Sequence, residues 1–219
     1  MNRYIDLNEI SDGRLYTADD LVRADCGGCQ GCSSCCETMA DAIILDPMDV
    51  FWLTARLKTP ASGLLHRQIE LGVVDGVVLP HIRMTDEGGR CPFLTEEGRC
   101  SIHESRPGLC RLFPLGRYYE DRGFSYFLQT KECRRPNRAK VRVRRWIGVP
   151  DFDRYEKFIG DWHYFLKDLL KPLAGNGPEW ANAACVRVLN EFVFRPYDVQ
   201  GDFYPQFYER LETVARQLL

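Results

Sequence analysis

Five of the ten cysteines fall within eleven residues, Cys26-Gly-Gly-Cys29-Gln-Gly-Cys32-Ser-Ser-Cys35-Cys36. Sulfur recurring at every third position returns to one side of a tight loop, and thiolates gathered in that way are the ligand chemistry of zinc and of iron–sulfur clusters. Gly27, Gly28 and Gly31 remove side-chain bulk and permit left-handed backbone, so the loop can wrap an ion or cluster. Cys26, Cys29, Cys32 and Cys36 reproduce the Cys-x2-Cys-x2-Cys-x3-Cys run of bacterial ferredoxins, with Glu37 where those proteins carry proline.

A second, wider-spaced group comprises Cys91, Cys100, Cys110 and Cys133. Its members sit beside turns or helix ends, as in Cys91-Pro92 and Pro107-Gly108-Leu109-Cys110, where rigid backbone can hold a sulfur in place. Zinc needs four tetrahedral ligands per ion, and pairs drawn from the two groups would fill two such sites; an iron–sulfur cluster draws on the local run instead. Both readings stand at this level. Either centre is net negative, and Arg90, Arg99, Arg111, Arg134 and Arg135 abut the later cysteines as candidate compensating charges. His103, three residues after Cys100, is a further candidate ligand, whereas Cys185 lies in an apolar stretch and reads as core.

Length and composition bound the rest. A chain of 219 residues can bury a core without covalent help, and a formal charge of −2 demands neither nucleic acid nor an anionic membrane. Residues 131–145 hold eight Lys or Arg against Glu132 alone, but no nucleic-acid recognition motif accompanies them, so nucleic acid is not expected as a partner. The first residues lack a signal-peptide core and no aliphatic run approaches membrane-spanning length. The expected location is the cytoplasm, with no membrane association. Reducing conditions there favour free thiols over disulfides.

The elements that must position these sulfurs give an α+β expectation: an irregular cysteine-rich metal domain with short hairpins and helices, followed by a helical tail. We divide the chain into an N-terminal arm or short helix over 1–25, a cysteine-cluster domain over 26–148 and a helical extension over 149–219. Asp46-Pro47-Met48-Asp49 reads as a helix start, and a second short helix runs from Ser62 to about Gly72. Val73 to Leu79 predicts a hairpin around Asp75-Gly76. Phe93 to Ile102 predicts another, with Cys91 and Cys100 facing each other across it. Pro107 opens a brief helix containing Cys110 that Pro114 closes, and Tyr118-Tyr119 pairs with Phe124 to Leu128. Tyr155, Phe158, Ile159, Trp162, Leu166 and Leu169 trace an amphipathic helix ended by Pro172 and Gly175, with two more helices over 179–194 and 205–219.

Cys29-Gln-Gly-Cys32-Ser-Ser-Cys35-Cys36, then Cys91-Pro92-Phe93-Leu94, then Gly98-Arg99-Cys100-Ser101-Ile102-His103-Glu104-Ser105-Arg106-Pro107-Gly108-Leu109-Cys110 together resemble the YkgJ-type CxxCxxCC cysteine-cluster family, whose domain is described as chelating zinc or iron. The resemblance covers about residues 26–135. It implies Cys29, Cys32, Cys35, Cys36, Cys91, Cys100, Cys110 and Cys133 as the metal ligand set, with Cys26 an extra and His103 at a position where the family often has tyrosine. The flagellin lysine N-methylases carry a similar cysteine domain associated with an iron–sulfur cluster. That similarity ranks iron, as a 4Fe–4S cluster, above zinc. It also implies protein modification of the lysine N-methylase type as one activity, with a protein as substrate or partner. Redox or metal handling and a metal-stapled interaction module are the other two classes. No catalytic residue is assigned. Gly175-Asn176-Gly177-Pro178 lies between predicted helices, not after a strand, so it does not read as a nucleotide-binding turn.

Overall fold

A computed structural model of the chain describes residues 6–27, 32–38, 43–85, 89–135 and 137–219. It opens with a single helical turn, α1 (Leu7–Ile10), and two strands, β1 (Ser11–Tyr16) and β2 (Leu21–Asp25). The segment read as an arm or short helix thus contributes mainly strands. β1 pairs antiparallel with a later strand through Leu15↔Phe127 and Tyr16↔Tyr126. Val22 and Ala24 are buried while Leu21 and Arg23 face out, the period-two pattern of a half-buried strand.

Helix α2 (Ser34–Thr38) carries Cys35 and Cys36, and α3 (Pro47–Leu57) follows. α3 begins where expected. Asp46 accepts from the Asp49 N–H at 2.9 Å and Asp49 accepts from the Asp46 N–H at 3.1 Å, a reciprocal cap that satisfies two otherwise orphaned donors.

α4 (Ala61–Leu64) is one turn long, so the helix expected to reach Gly72 stops early. Ile69 to Gly72 belong instead to β3 (Ile69–Val74), whose Val73 and Val74 are strand as expected and which pairs with β4 (Val77–Ile82) over six residue pairs. Cross-strand pairing of β-branched side chains outweighs the weak helical pattern of this segment. The Asp75-Gly76 turn has positive φ at both residues, 50° and 90°, as a tight hairpin connection requires.

α5 (Gly108–Leu112) precedes β5 (Leu115–Glu120) and β6 (Gly123–Gln129), which complete a three-stranded sheet in the order β1-β6-β5. β7 (Ala139–Arg142) pairs with β2 to form a separate ribbon, and α6 (Val143–Ile147) leads to the tail. There α7 (Phe152–Gly175), α8 (Gly177–Leu189), a π-helical turn (Asn190–Phe194) and α9 (Phe203–Leu218) follow in sequence. α7 passes through Pro172 and ends only at Gly175. The Pro172 carbonyl accepts from the backbone N–H and the side chain of Asn176, at 3.1 and 2.9 Å, so the last turn stays closed.

Two apolar clusters result. The larger gathers Phe158, Trp162, Phe192, Phe203 and Phe207 from the tail with Tyr126, Leu128 and Leu115 of the sheet, and it includes Cys185. Edge-to-face contacts such as Phe158–Phe207, at 4.7 Å and 85°, order this aromatic centre. The smaller cluster holds Ile43, Leu45, Val50, Leu53, Ile69, Ile82, Phe93 and Ile102, with Cys91, Cys100 and Cys110 packed on it.

One buried titratable group makes the fold sensitive to acid. His163 stacks on Tyr119 at 3.5 Å with the rings 4° from parallel, and burial pushes its pKa down to about 4. Because the folded value lies below the unfolded one of 6.5, the unfolded chain binds the proton first. This contribution is complete above pH 6.5 and is lost as pH falls towards 4. His163→Phe keeps the stacking area and removes the titration. Denaturant unfolding at pH 7 and pH 4.5 is expected to show a loss smaller in the variant than in the wild type by about 2 kcal/mol, less than the full shift converts to because water reaches part of the ring's surroundings.

Candidate metal centre

Six cysteines from four stretches of chain line a single cleft: Cys32, Cys35, Cys36, Cys91, Cys100 and Cys110. Cys32 enters from the loop before α2, Cys35 and Cys36 from α2 itself, and Cys110 from α5. The Cys91 N–H donates to the Cys36 carbonyl at 2.8 Å, fastening the first cysteine group directly to the second.

Cys100 comes from the segment read as a hairpin. Only a single bridge forms there, Leu94↔Cys100, supported by the Ser101 N–H on the Phe93 carbonyl and the Thr95 N–H on the Arg99 carbonyl, both 2.8 Å. The loop is too short and too polar at its tip to extend into strands, yet it brings Cys91 and Cys100 to the same cleft as expected.

Cys110 is held from below. The Gly108 N–H donates to Asp49 Oδ1 at 2.7 Å in a buried contact, so the carboxylate that caps α3 also seats the first turn of α5. A Cβ on Gly108 would stand 3.0 Å from Tyr155 Oη and 3.5 Å from Asp46 Oδ2; glycine allows that close approach. Arg111 is buried beneath. It donates through Nε to the Arg106 carbonyl at 3.0 Å and through Nη2 to the Glu104 carbonyl, and its guanidinium lies 4.8 Å over the Trp52 ring.

The electrostatics follow from this crowding. Burial pushes the Cys110 thiol up, and Asp49, Cys91, Cys35 and Cys100 push it further. Burial likewise raises Cys91, with Cys100 and Cys35 adding to it, and raises Cys100, with Cys35 adding. Cys35 is raised first by its hydrogen bond with Cys36, then by burial. Cys32 moves the other way because the Ser34 N–H points at its sulfur, with Arg135 assisting. Four thiols that resist each other's ionisation are close neighbours, and a cation among them reverses the balance.

Asp46 and Asp49 are also shifted. Burial raises Asp46 to about 6, against the Asp49 N–H and Arg117, while burial and the neighbouring Asp46 carry Asp49 well above the usual carboxylate range.

The remaining lining is mostly apolar, with Ile43, Ile82, Phe93, Leu94, Ile102 and Phe113, and among the described residues it contains no carboxylate. Arg99, Arg106 and His103 stand among the lining residues. Arg106 Nη1 contacts the His103 ring, and burial together with the nearby arginines pushes that imidazole towards its neutral form. Soft thiol donors without competing carboxylates suit zinc or iron. Among the described residues no three His, Cys, Asp or Glu side chains stand in a closed ion site; the cleft supplies one enclosure and no completed coordination sphere.

Of the other sequence candidates, Cys29 lies outside the described residues. Cys133 and Cys26 are half-buried but do not line the cleft, and Cys185 is buried in the larger core, far along the chain from any other cysteine. All nine described cysteines are free thiols. Asp49 was legible as a helix cap, but its second role is invisible in sequence because Gly108 lies 59 residues away.

Residues 28–134 match the family model CxxCxxCC, described as "Putative zinc- or iron-chelating domain". This part of the chain is therefore similar to the CxxCxxCC domain, a cysteine cluster described as chelating zinc or iron. No curated protein and no solved structure matches the chain. Among the described residues no helix is long and apolar enough to cross a membrane.

Removing the Asp49 carboxylate strands the Gly108 N–H in a buried site and opens the α3 cap. Asp49→Ala is expected to cost about 2–4 kcal/mol in denaturant unfolding. Asp49→Asn, whose amide oxygen can still accept from Gly108, is expected to cost less than half as much. Equal losses would show that the hydrogen bond to Gly108 contributes little.

Proposed function

We propose that the chain holds an iron–sulfur cluster of the 4Fe–4S type in the cysteine-lined cleft, with redox or metal handling as its role in a reducing, cytoplasmic setting. The observation that carries this reading is the convergence of six thiols on one cleft. A zinc ion and a 4Fe–4S cluster each take four cysteine ligands, so the six thiols suffice for either, and the similarity to the cysteine domain of the flagellin lysine N-methylases is what ranks iron first. The ligands would be drawn from the set that the family resemblance implies, Cys29, Cys32, Cys35, Cys36, Cys91, Cys100, Cys110 and Cys133. When bound, such a cluster supplies a one-electron couple tuned by nearby hydrogen bonds and solvent exposure.

The protein's own residues have definite parts in this reading. Arg99 and Arg106 at the cleft and Arg135 beside Cys32 offset the negative charge of gathered thiolates. The apolar walls exclude water from the sulfurs on one side. Asp49 and the Cys91–Cys36 hydrogen bond hold the two cysteine groups in register.

A second reading, protein modification of the lysine N-methylase type, is favoured by one feature: the lining sulfurs are half-buried, which leaves room for a lysine side chain to approach. Incubation with a methyl donor and a lysine-containing peptide tests it.

Anaerobically purified chain is expected to be brown, with iron and acid-labile sulfide in equal, stoichiometric amounts. A colourless protein containing zinc would instead make the centre a zinc site. Cys36→Ala and Cys110→Ala are each expected to abolish most of the bound metal, whereas Cys185→Ala is expected to leave it unchanged.

The raised thiols fix a sign for pH dependence. Metal binding must expel protons from Cys35, Cys91, Cys100 or Cys110, all held above the ordinary thiol range, so affinity rises with pH. Cobalt(II) titration followed by thiolate charge-transfer absorption is expected to weaken about 100-fold or more per unit fall in pH, if at least two protons are released. A flat profile between pH 6.5 and 8 would mean that these thiols are not the ligands.

A further inference from the structure

The basic segment 131–145 is left unused by the cleft, apart from Arg135. It carries seven net positive charges, while the rest of the chain carries nine net negative ones. Folding concentrates this asymmetry. β2 and β7 form a two-stranded ribbon with Leu21 opposite Arg142 and Val22 opposite Val141. Val22 and Ala24 turn inward, so Leu21, Arg23, Lys140 and Arg142 share the outward face. Arg23 and Lys140 both fall in the irregular stretch between the Val22↔Val141 and Asp25↔Ala139 pairs.

Like charges facing each other across strands are destabilising. Arg122, Arg154, Arg187 and Arg195 outside the segment have carboxylate partners, as does Arg144 within it. On and beside the ribbon, exposed Arg23, Lys131, Arg134, Lys140, Arg142 and Arg145 form no ion pair with a described residue.

We infer that this ribbon, with its flanking basic residues, is a docking face for an acidic protein surface. Charge complementarity selects an anionic partner, and the net negative charge of the remaining chain disfavours its binding elsewhere. Leu21, 56% exposed amid the arginines, supplies an apolar contact of the kind that anchors protein interfaces. The two strands carry no aromatic ring for base stacking and no Asn or Gln to read base edges, so a nucleic acid fits less well.

One residue of the basic segment reaches the sulfur cleft: Arg135 interacts with the Cys32 thiol.

The test uses the full chain and fluorescent poly-L-glutamate of about twenty residues as probe, followed by anisotropy. Binding is expected at 50 mM salt and should fall at least tenfold at 200 mM. Arg23→Glu/Lys140→Glu/Arg142→Glu is expected to weaken it at least tenfold, and Lys171→Glu on α7 less than twofold. Lys131→Glu/Arg134→Glu, outside the strands, provides a second variant should the triple one unfold. No binding at 50 mM, or equal binding by the charge-reversed variants, would overturn the inference. So would tighter binding of a single-stranded or duplex oligonucleotide or of phosphatidylserine vesicles. Sedimentation showing low-salt self-association abolished by the triple variant would likewise overturn it, by making a second copy of the chain the occupant.

Discussion

The hydrogen bond from Gly108 to the Asp49 carboxylate, 2.7 Å long and buried, is the constraint on which the site depends. The same carboxylate closes the first turn of α3, so the cap of one helix and the seat of the next share a single group. A buried carboxylate is costly unless its lone pairs are satisfied. Here backbone donors satisfy them, and that requirement fixes where Cys110 can stand. Tyr155, reaching in from α7, packs against Gly108 and accepts from Arg117 at 3.0 Å, so the helical tail braces the metal domain from behind.

Above this support the sulfurs rest on a small apolar cluster of their own. Cys91, Cys100 and Cys110 pack on Phe93, Ile102 and Leu53, an arrangement that withholds water from one side of each thiol. Low local dielectric makes isolated thiolates unfavourable and makes a thiolate–metal bond correspondingly stronger. Cysteine placement and core packing are therefore one design: the surface that stabilises the fold also sets the protonation state of the thiols.

Much of this was readable before the structure. The start of α3 follows from Asp46-Pro47 and Asp49, the β3–β4 turn from Asp75-Gly76, and the tail helices from aromatic residues at helical spacing, because each signal is local. The failures share a cause. Residues 11–25 show little alternation of their own and become strands by pairing with β6 and β7, more than 100 residues distant. Gly72 reads as a helix stop but lies within β3, where the His81 ring crosses it at a distance only glycine tolerates.

The sequence by itself determined the chemistry on offer: thiols in two groups, glycine where the chain must turn, and a match to a domain described as chelating zinc or iron. It also determined the charge surplus of residues 131–145. Only the tertiary structure decided which sulfurs share an enclosure, that Cys133 and Cys26 stand outside its lining while His103 and Arg106 belong to it, and that the basic residues align on one ribbon face. The reason is physical. Residue type sets what a side chain can bind, whereas convergence depends on hydrogen bonds and packing between segments tens of residues apart, such as Cys91 to Cys36 and Gly108 to Asp49, which no local spacing encodes.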